Sequence, residues 1–75
     1  MDEKIIIGVD LGGTKIMTGA MDFKGRVLGS PLKTDTIGND TADAIIKRVT
    51  DSVEKVVRNL QRNNRDIAGI GIGCT

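Results

Sequence analysis

Ile5-Ile6-Ile7-Gly8-Val9-Asp10-Leu11-Gly12-Gly13-Thr14-Lys15 is the stretch around which the rest of the chain is read. An apolar run rich in β-branched residues stops at turn residues, the pattern of a strand entering a tight turn. The turn carries one acid, two glycines, a hydroxyl and an ammonium. Paired glycines let backbone N–H groups approach an anion. Asp10 can hold the water shell of Mg²⁺, an ion that keeps several waters and takes one or two carboxylates. Thr14 adds a hydroxyl and Lys15 a positive charge. Residue types alone leave two readings open: a nucleotide-phosphate site, and a plain hairpin turn with a solvated lysine. A Walker A loop fits poorly, because the order is Thr-Lys and a strand follows rather than a helix. A dinucleotide fingerprint fails as well, since no G-x-G-x-x-G opens a helix.

Outward from the turn, Lys4 to Asp10 is expected as the first strand. Ile5, Ile7 and Val9 fall on one face and Ile6 on the other, as in a central strand covered on both sides. Lys15 to Asp22 alternates Ile16, Thr18 and Ala20 against Met17, Gly19 and Met21, a second strand joined to the first as a hairpin. The methionines are expected to fill core. Asp22-Phe23-Lys24-Gly25 is a turn with Gly25 free to take positive φ. Arg26 to Lys33 is a third strand, placed at an edge by Pro31, which cannot donate to a ladder. Thr34 to Asp40 is expected as a polar loop, with Asp35 and Asp40 as turn or cap residues.

A helix follows, with Asn39, Asp40 and Thr41 as candidate N-caps and Asp43 in its first turn. It is expected to run to about Arg62, stopping at Asn63-Asn64. Ile45, Ile46, Val49, Val53, Val56, Val57 and Leu60 share one face. Asp66 to Cys74 is the last strand, apolar on one face and bare at Gly69, Gly71 and Gly73 on the other. Packing of the helix is the expected use of Gly69 and Gly71, with Gly73 left open between packing and ligand approach. The order is therefore β-β-β-α-β in an α/β fold. The right-handed crossover rule returns the fourth strand parallel to the first and predicts sheet order 3-2-1-4.

Composition narrows the chemistry. A 75-residue chain is at most one small domain. A net charge of +1 argues against strong attraction to nucleic acid or membrane. Phe23 is the only aromatic residue, so bases have no stacking platform. No histidine is present, which removes histidine triads, histidine metal sites and the usual proton shuttle. Cys74 stands alone, so it cannot form an internal disulfide or a CxxC pair, and it is expected as a small core residue. The polar start and short apolar runs predict a soluble, cytoplasmic protein without a leader or membrane span. One helix covers one face of a sheet, yet the first strand is apolar on both. The expectation is the opening segment of a larger fold, with an apolar face and a strand edge exposed when alone.

Gly8-Val9-Asp10-Leu11-Gly12-Gly13-Thr14-Lys15 resembles the first phosphate motif of the ROK family (repressors, open reading frames and kinases), which includes bacterial glucokinases. Gly71-Ile72-Gly73 is similar to that family's fourth strand. The resemblance implies a ribonuclease H-like fold of the actin/hexokinase superfamily. Residues 1–75 would be the first part of the N-terminal ATP-binding lobe, with the remainder of the fold beyond Thr75. It implies ATP and Mg²⁺ as cofactors, a hexose as substrate and a homo-oligomer as the intact protein. Asp10 would orient Mg²⁺ through water, and the backbone of Gly12, Gly13 and Thr14 would lie against the phosphates, with Lys15 close by. The family's catalytic aspartate, sugar contacts and zinc site match no position here, so the chain alone is expected to be inactive. A sugar-sensing ROK regulator is the first rival. Such proteins carry a helix-turn-helix before this motif, for which a fold starting at Lys4 leaves no room. A nucleotide-binding superfamily member without sugar transfer is the second, and a stand-alone product without activity the third.

Overall fold

The computed structural model describes residues 3–35 and 41–74. Three strands come first: β1 (Ile5–Leu11), β2 (Lys15–Met21) and β3 (Val27–Asp35). Helix α1 (Ala42–Asn59), a single 3-10 turn (Asn64–Asp66) and β4 (Ile67–Cys74) complete the described chain. The sheet order is β3-β2-β1-β4, with β1 antiparallel to β2 and parallel to β4. The expected α/β order and topology are therefore present. Strand ends move by a residue or two. The larger change is at β3, which runs on through Thr34 and Asp35 instead of entering a loop. Residues 36–40, including the candidate caps Asn39 and Asp40, lie outside the described residues.

Thr41 caps α1, its Oγ1 accepting from Ala44 N at 3.2 Å. The helix ends at Asn59, short of Arg62. Gln61 takes a left-handed φ of 58°, and the N–H groups of Gln61 and Arg62 donate to the carbonyls of Arg58 and Val57. Those bonds satisfy the last turn as in a Schellman motif. Asn63 serves instead as the cap of the 3-10 turn, with Asp66 closing a capping box.

The core is one layer deep. Ile5, Ile7 and Val9 of β1 and Ile16 and Ala20 of β2 pack against Val53, Val56 and Val57 of α1. A buried polar pair anchors the helix over β2: Thr18 Oγ1 lies 2.8 Å from Ser52 Oγ. Ser52 donates its proton to the Val49 carbonyl, so Thr18 is the donor between the hydroxyls. Because α1 sits over β2 and β3, β4 is left uncovered. Ile70 and Ile72 are 51% and 57% exposed, although they share the helix-side face with Ile7 and Val9. Ile46, expected in the core, is exposed beside them. Together with Val49, Val53 and Ile67 they line a groove of about 570 Å³ between α1 and β4.

Three expectations about faces are corrected. Gly69, Gly71 and Gly73 pair with Ile6, Gly8 and Asp10, so they lie on the face away from the helix. A Cβ at any of them would meet nothing within 4 Å, so they do not serve helix packing. Met17 and Met21 occupy that same open face and are exposed, not core. Cys74 is likewise exposed. In each case a neighbouring layer is missing rather than the alternation misread.

Asp22 forms the second turn as expected, and its carboxylate is buried. It accepts from the N–H groups of Lys24 and Arg26 and from Arg26 Nε, all at 2.9 Å. Gly25 takes the predicted left-handed conformation, φ 84°. A second left-handed glycine was not predicted. Gly29, φ 65°, sits where the β2–β3 ladder shifts register, and a Cβ there would stand 2.9 Å from Leu60 Cδ2.

Candidate functional site

β1 is hydrogen-bonded on both sides, by β2 and β4, so its C-terminal end is held within the sheet. Asp10 stands there on the open face, with Met17 of β2 on one side and Gly73 of β4 on the other. Its side chain is exposed, and no hydrogen bond or ion pair engages it among the described residues. Gly8, one face-repeat back, and Gly71 and Gly73, beside it, leave the approach to the carboxylate clear. Asp10 also borders a shallow concavity of about 200 Å³ lined by Gly8, Gly19, Met17, Met21, Val27 and Pro31.

The turn closes immediately beyond. Gly12 N donates to the Lys15 carbonyl at 2.8 Å, tying the strand ends together. That N–H is committed within the turn, so Gly12 offers no backbone donor in this conformation. Neither Gly12 nor Gly13 takes positive φ; among the described residues only Gly25, Gly29 and Gln61 do. A Cβ on Gly13 would meet nothing within 4 Å. Nothing within the described chain therefore requires glycine at position 13, neither conformation nor crowding. Gly13 and Thr14 are exposed at the tip.

Lys15 is exposed, and its ammonium pairs with the exposed Asp35 carboxylate. Asp35, expected as a loop residue, is the register partner of Lys15 on β3. The hydrogen bond and charge of Lys15 hold the Asp35 carboxyl below its ordinary value. Lys33 opposes Met17 and brings a second cation to this face. The five residues named from sequence (Asp10, Gly12, Gly13, Thr14 and Lys15) are thus gathered at one end of the open face, with Lys15 turned toward the β3 edge. Asp35 is the member that sequence reasoning missed. A regular hairpin counted from Met21↔Val27 would set Lys15 against Lys33. The left-handed Gly29 is the one local sign of the bulge that brings Asp35 there instead.

The described residues offer one unpaired carboxylate at this end of the face, which could hold a divalent ion through its water shell but could not enclose it. No group of three or more Asp, Glu, Cys or His is placed to hold a metal among the described residues.

The ROK family model matches residues 6–75. A glucokinase of Streptomyces coelicolor is 36% identical over 71 residues, covering 93% of this chain and 20% of that protein. A glucokinase of Streptomyces lividans matches with the same identity and coverage. The chain thus spans about a fifth of the length of the relatives it matches. With the motif at the end of β1, the β3-β2-β1-β4 sheet and a match running from Ile6 to the last residue, the chain belongs to the ROK family.

Proposed function

We propose that this chain is the first phosphate-binding part of an ATP-dependent sugar kinase, a glucokinase-like enzyme that phosphorylates a hexose in its complete form. The observation that carries the reading is the placement of Asp10: a carboxylate that is exposed and without a hydrogen-bond or ion-pair partner among the described residues, at the end of an interior strand, beside a turn where a Cβ on Gly13 would meet nothing within 4 Å. The ATP phosphates would lie against Gly12, Gly13 and Thr14, with the Thr14 hydroxyl beside them. Asp10 would orient Mg²⁺ through its water shell. When bound, that ion offsets the negative charge of the phosphates, and catalysis of phosphoryl transfer is mostly positioning and charge stabilisation. With Asp10 given to the cation and Asp35 paired with Lys15, this end of the open face offers no free base for the sugar hydroxyl among the described residues. That group would be an aspartate from another part of the protein. The complete enzyme would be cytoplasmic and homo-oligomeric, without nucleic-acid or membrane partners. No described helix is long and apolar enough to cross a membrane.

The test is ADP release by the full-length natural protein with ATP, Mg²⁺ and a panel of hexoses. Hexose-dependent turnover is expected, and Asp10→Ala should lower kcat about 100-fold or more. Near-normal turnover in that variant would remove the role given to Asp10. Sugar binding without turnover in the natural protein would favour a sugar-sensing regulator. Nucleotide binding alone would favour a non-catalytic member of the superfamily.

A further inference from the structure

Asp10 and Lys15 share the open face. Asp10 opposes Met17, so Lys15, two residues along β2, is its diagonal neighbour. A long side chain reaches across a diagonal of that kind. An ammonium placed there would pair with the carboxylate and occupy the oxygens that a hydrated cation needs. The structure sends it the other way, across the β2–β3 ladder to Asp35 on the sheet edge. The register that allows this is not the default one. Continued regularly from Met21↔Val27, the ladder would set Lys15 against Lys33, and like-charge repulsion would drive the ammonium toward Asp10. The bulge at Gly29 moves the pairing by two residues and replaces Lys33 with Asp35.

We propose that Asp35 is a positioning residue of the cation site. It holds the Lys15 ammonium away from Asp10 and so keeps that carboxylate open to a hydrated divalent ion. This rests on the reading of Asp10 given above. Asp35 lies two strands away from Asp10 and acts through Lys15, not as a ligand.

The experiment measures binding of Mn²⁺ with a non-hydrolysable ATP analogue to the full-length natural protein, by electron paramagnetic resonance and without sugar. Asp35→Asn is expected to raise the half-saturating Mn²⁺ concentration about two- to five-fold, the range commanded by an exposed ion pair. Asp35→Glu should restore most of the natural value. In a Lys15→Met background the Asp35→Asn effect should vanish, because no ammonium remains to swing. Binding in Asp35→Asn that is unchanged or tighter overturns the proposal, as does an equal loss in the Lys15→Met background. Asp10→Asn separates this inference from the one beneath it. If that variant leaves Mn²⁺ binding unchanged, the reading of Asp10 fails. If it weakens binding while Asp35→Asn does not, only the role of Asp35 fails.

Discussion

Gly13 and Asp22 show two opposite reasons for a residue to stand in a turn. At Gly13 the backbone is ordinary and the space beside it is empty. Gly13→Ala should therefore shift stability by less than about 0.5 kcal/mol. If the turn receives phosphate, the same methyl should raise KM for ATP several-fold. An unchanged KM would show that the glycine is not kept for a ligand's approach. Asp22 is the structural counterpart. Chiefly the Arg26 N–H, then the Arg26 side chain and the Lys24 N–H, hold its carboxyl below the ordinary 3.8 against the opposing pull of burial. A depressed folded value stabilises the fold fully above the unfolded pKa, and that contribution is lost as pH falls through the folded value. Asp22→Asn should flatten the loss of stability below about pH 4 while leaving nucleotide binding at neutral pH alone. Denaturation midpoints measured between neutral pH and pH 3 check this, and parallel curves for the two proteins would contradict it.

At the scale of elements, the placement of α1 depends on one buried pair of hydroxyls. Apolar packing alone lets a helix slide along a sheet, whereas the Thr18–Ser52 bond sets its position over β2. Ser52→Ala leaves the Thr18 hydroxyl buried without its acceptor and should cost about 1–3 kcal/mol. Adding Thr18→Val removes the stranded donor, so the double variant should be less destabilised than the sum of the two singles. Strict additivity in chemical denaturation would show that the bond does not hold the helix. Element types and order were legible from periodicity: alternation gave β2, the 3.6 repeat gave α1, and glycine and proline marked the breaks. The extent of β3 was not, because Thr34 and Asp35 are polar residues that suit a loop as well as a strand. Pairing with Lys15 and Ile16 decides their state, and no local preference encodes a partner.

Among the described residues, two apolar surfaces stand exposed. One is the open sheet face with Met17, Met21 and Val27; the other is the groove where Ile46, Ile70 and Ile72 stand exposed beside the unpaired edge of β4. Exposed apolar area joined to a free strand edge favours association. The 75-residue chain expressed by itself should therefore self-associate, and Ile70→Lys with Ile72→Thr should reduce this. Sedimentation velocity decides the point: a monodisperse monomer across a wide concentration range would contradict the prediction. The same chain should show no hexose-dependent ADP release. The exposed surfaces fit a unit that spans about a fifth of its relatives' length.

Sequence by itself determined the strand–turn–strand at Asp10, the β-β-β-α-β order, the parallel return of β4 beside β1 and the family. Each follows from local pattern, from chain handedness or from a motif contiguous in the chain. Tertiary structure alone decided which face each glycine and methionine occupies relative to the helix, where α1 sits across the sheet, and which residue holds Lys15. Period-2 alternation says that two faces differ but not which one a helix will cover. A bulge that shifts one ladder by two residues changes every partner beyond it while leaving the composition of both strands untouched.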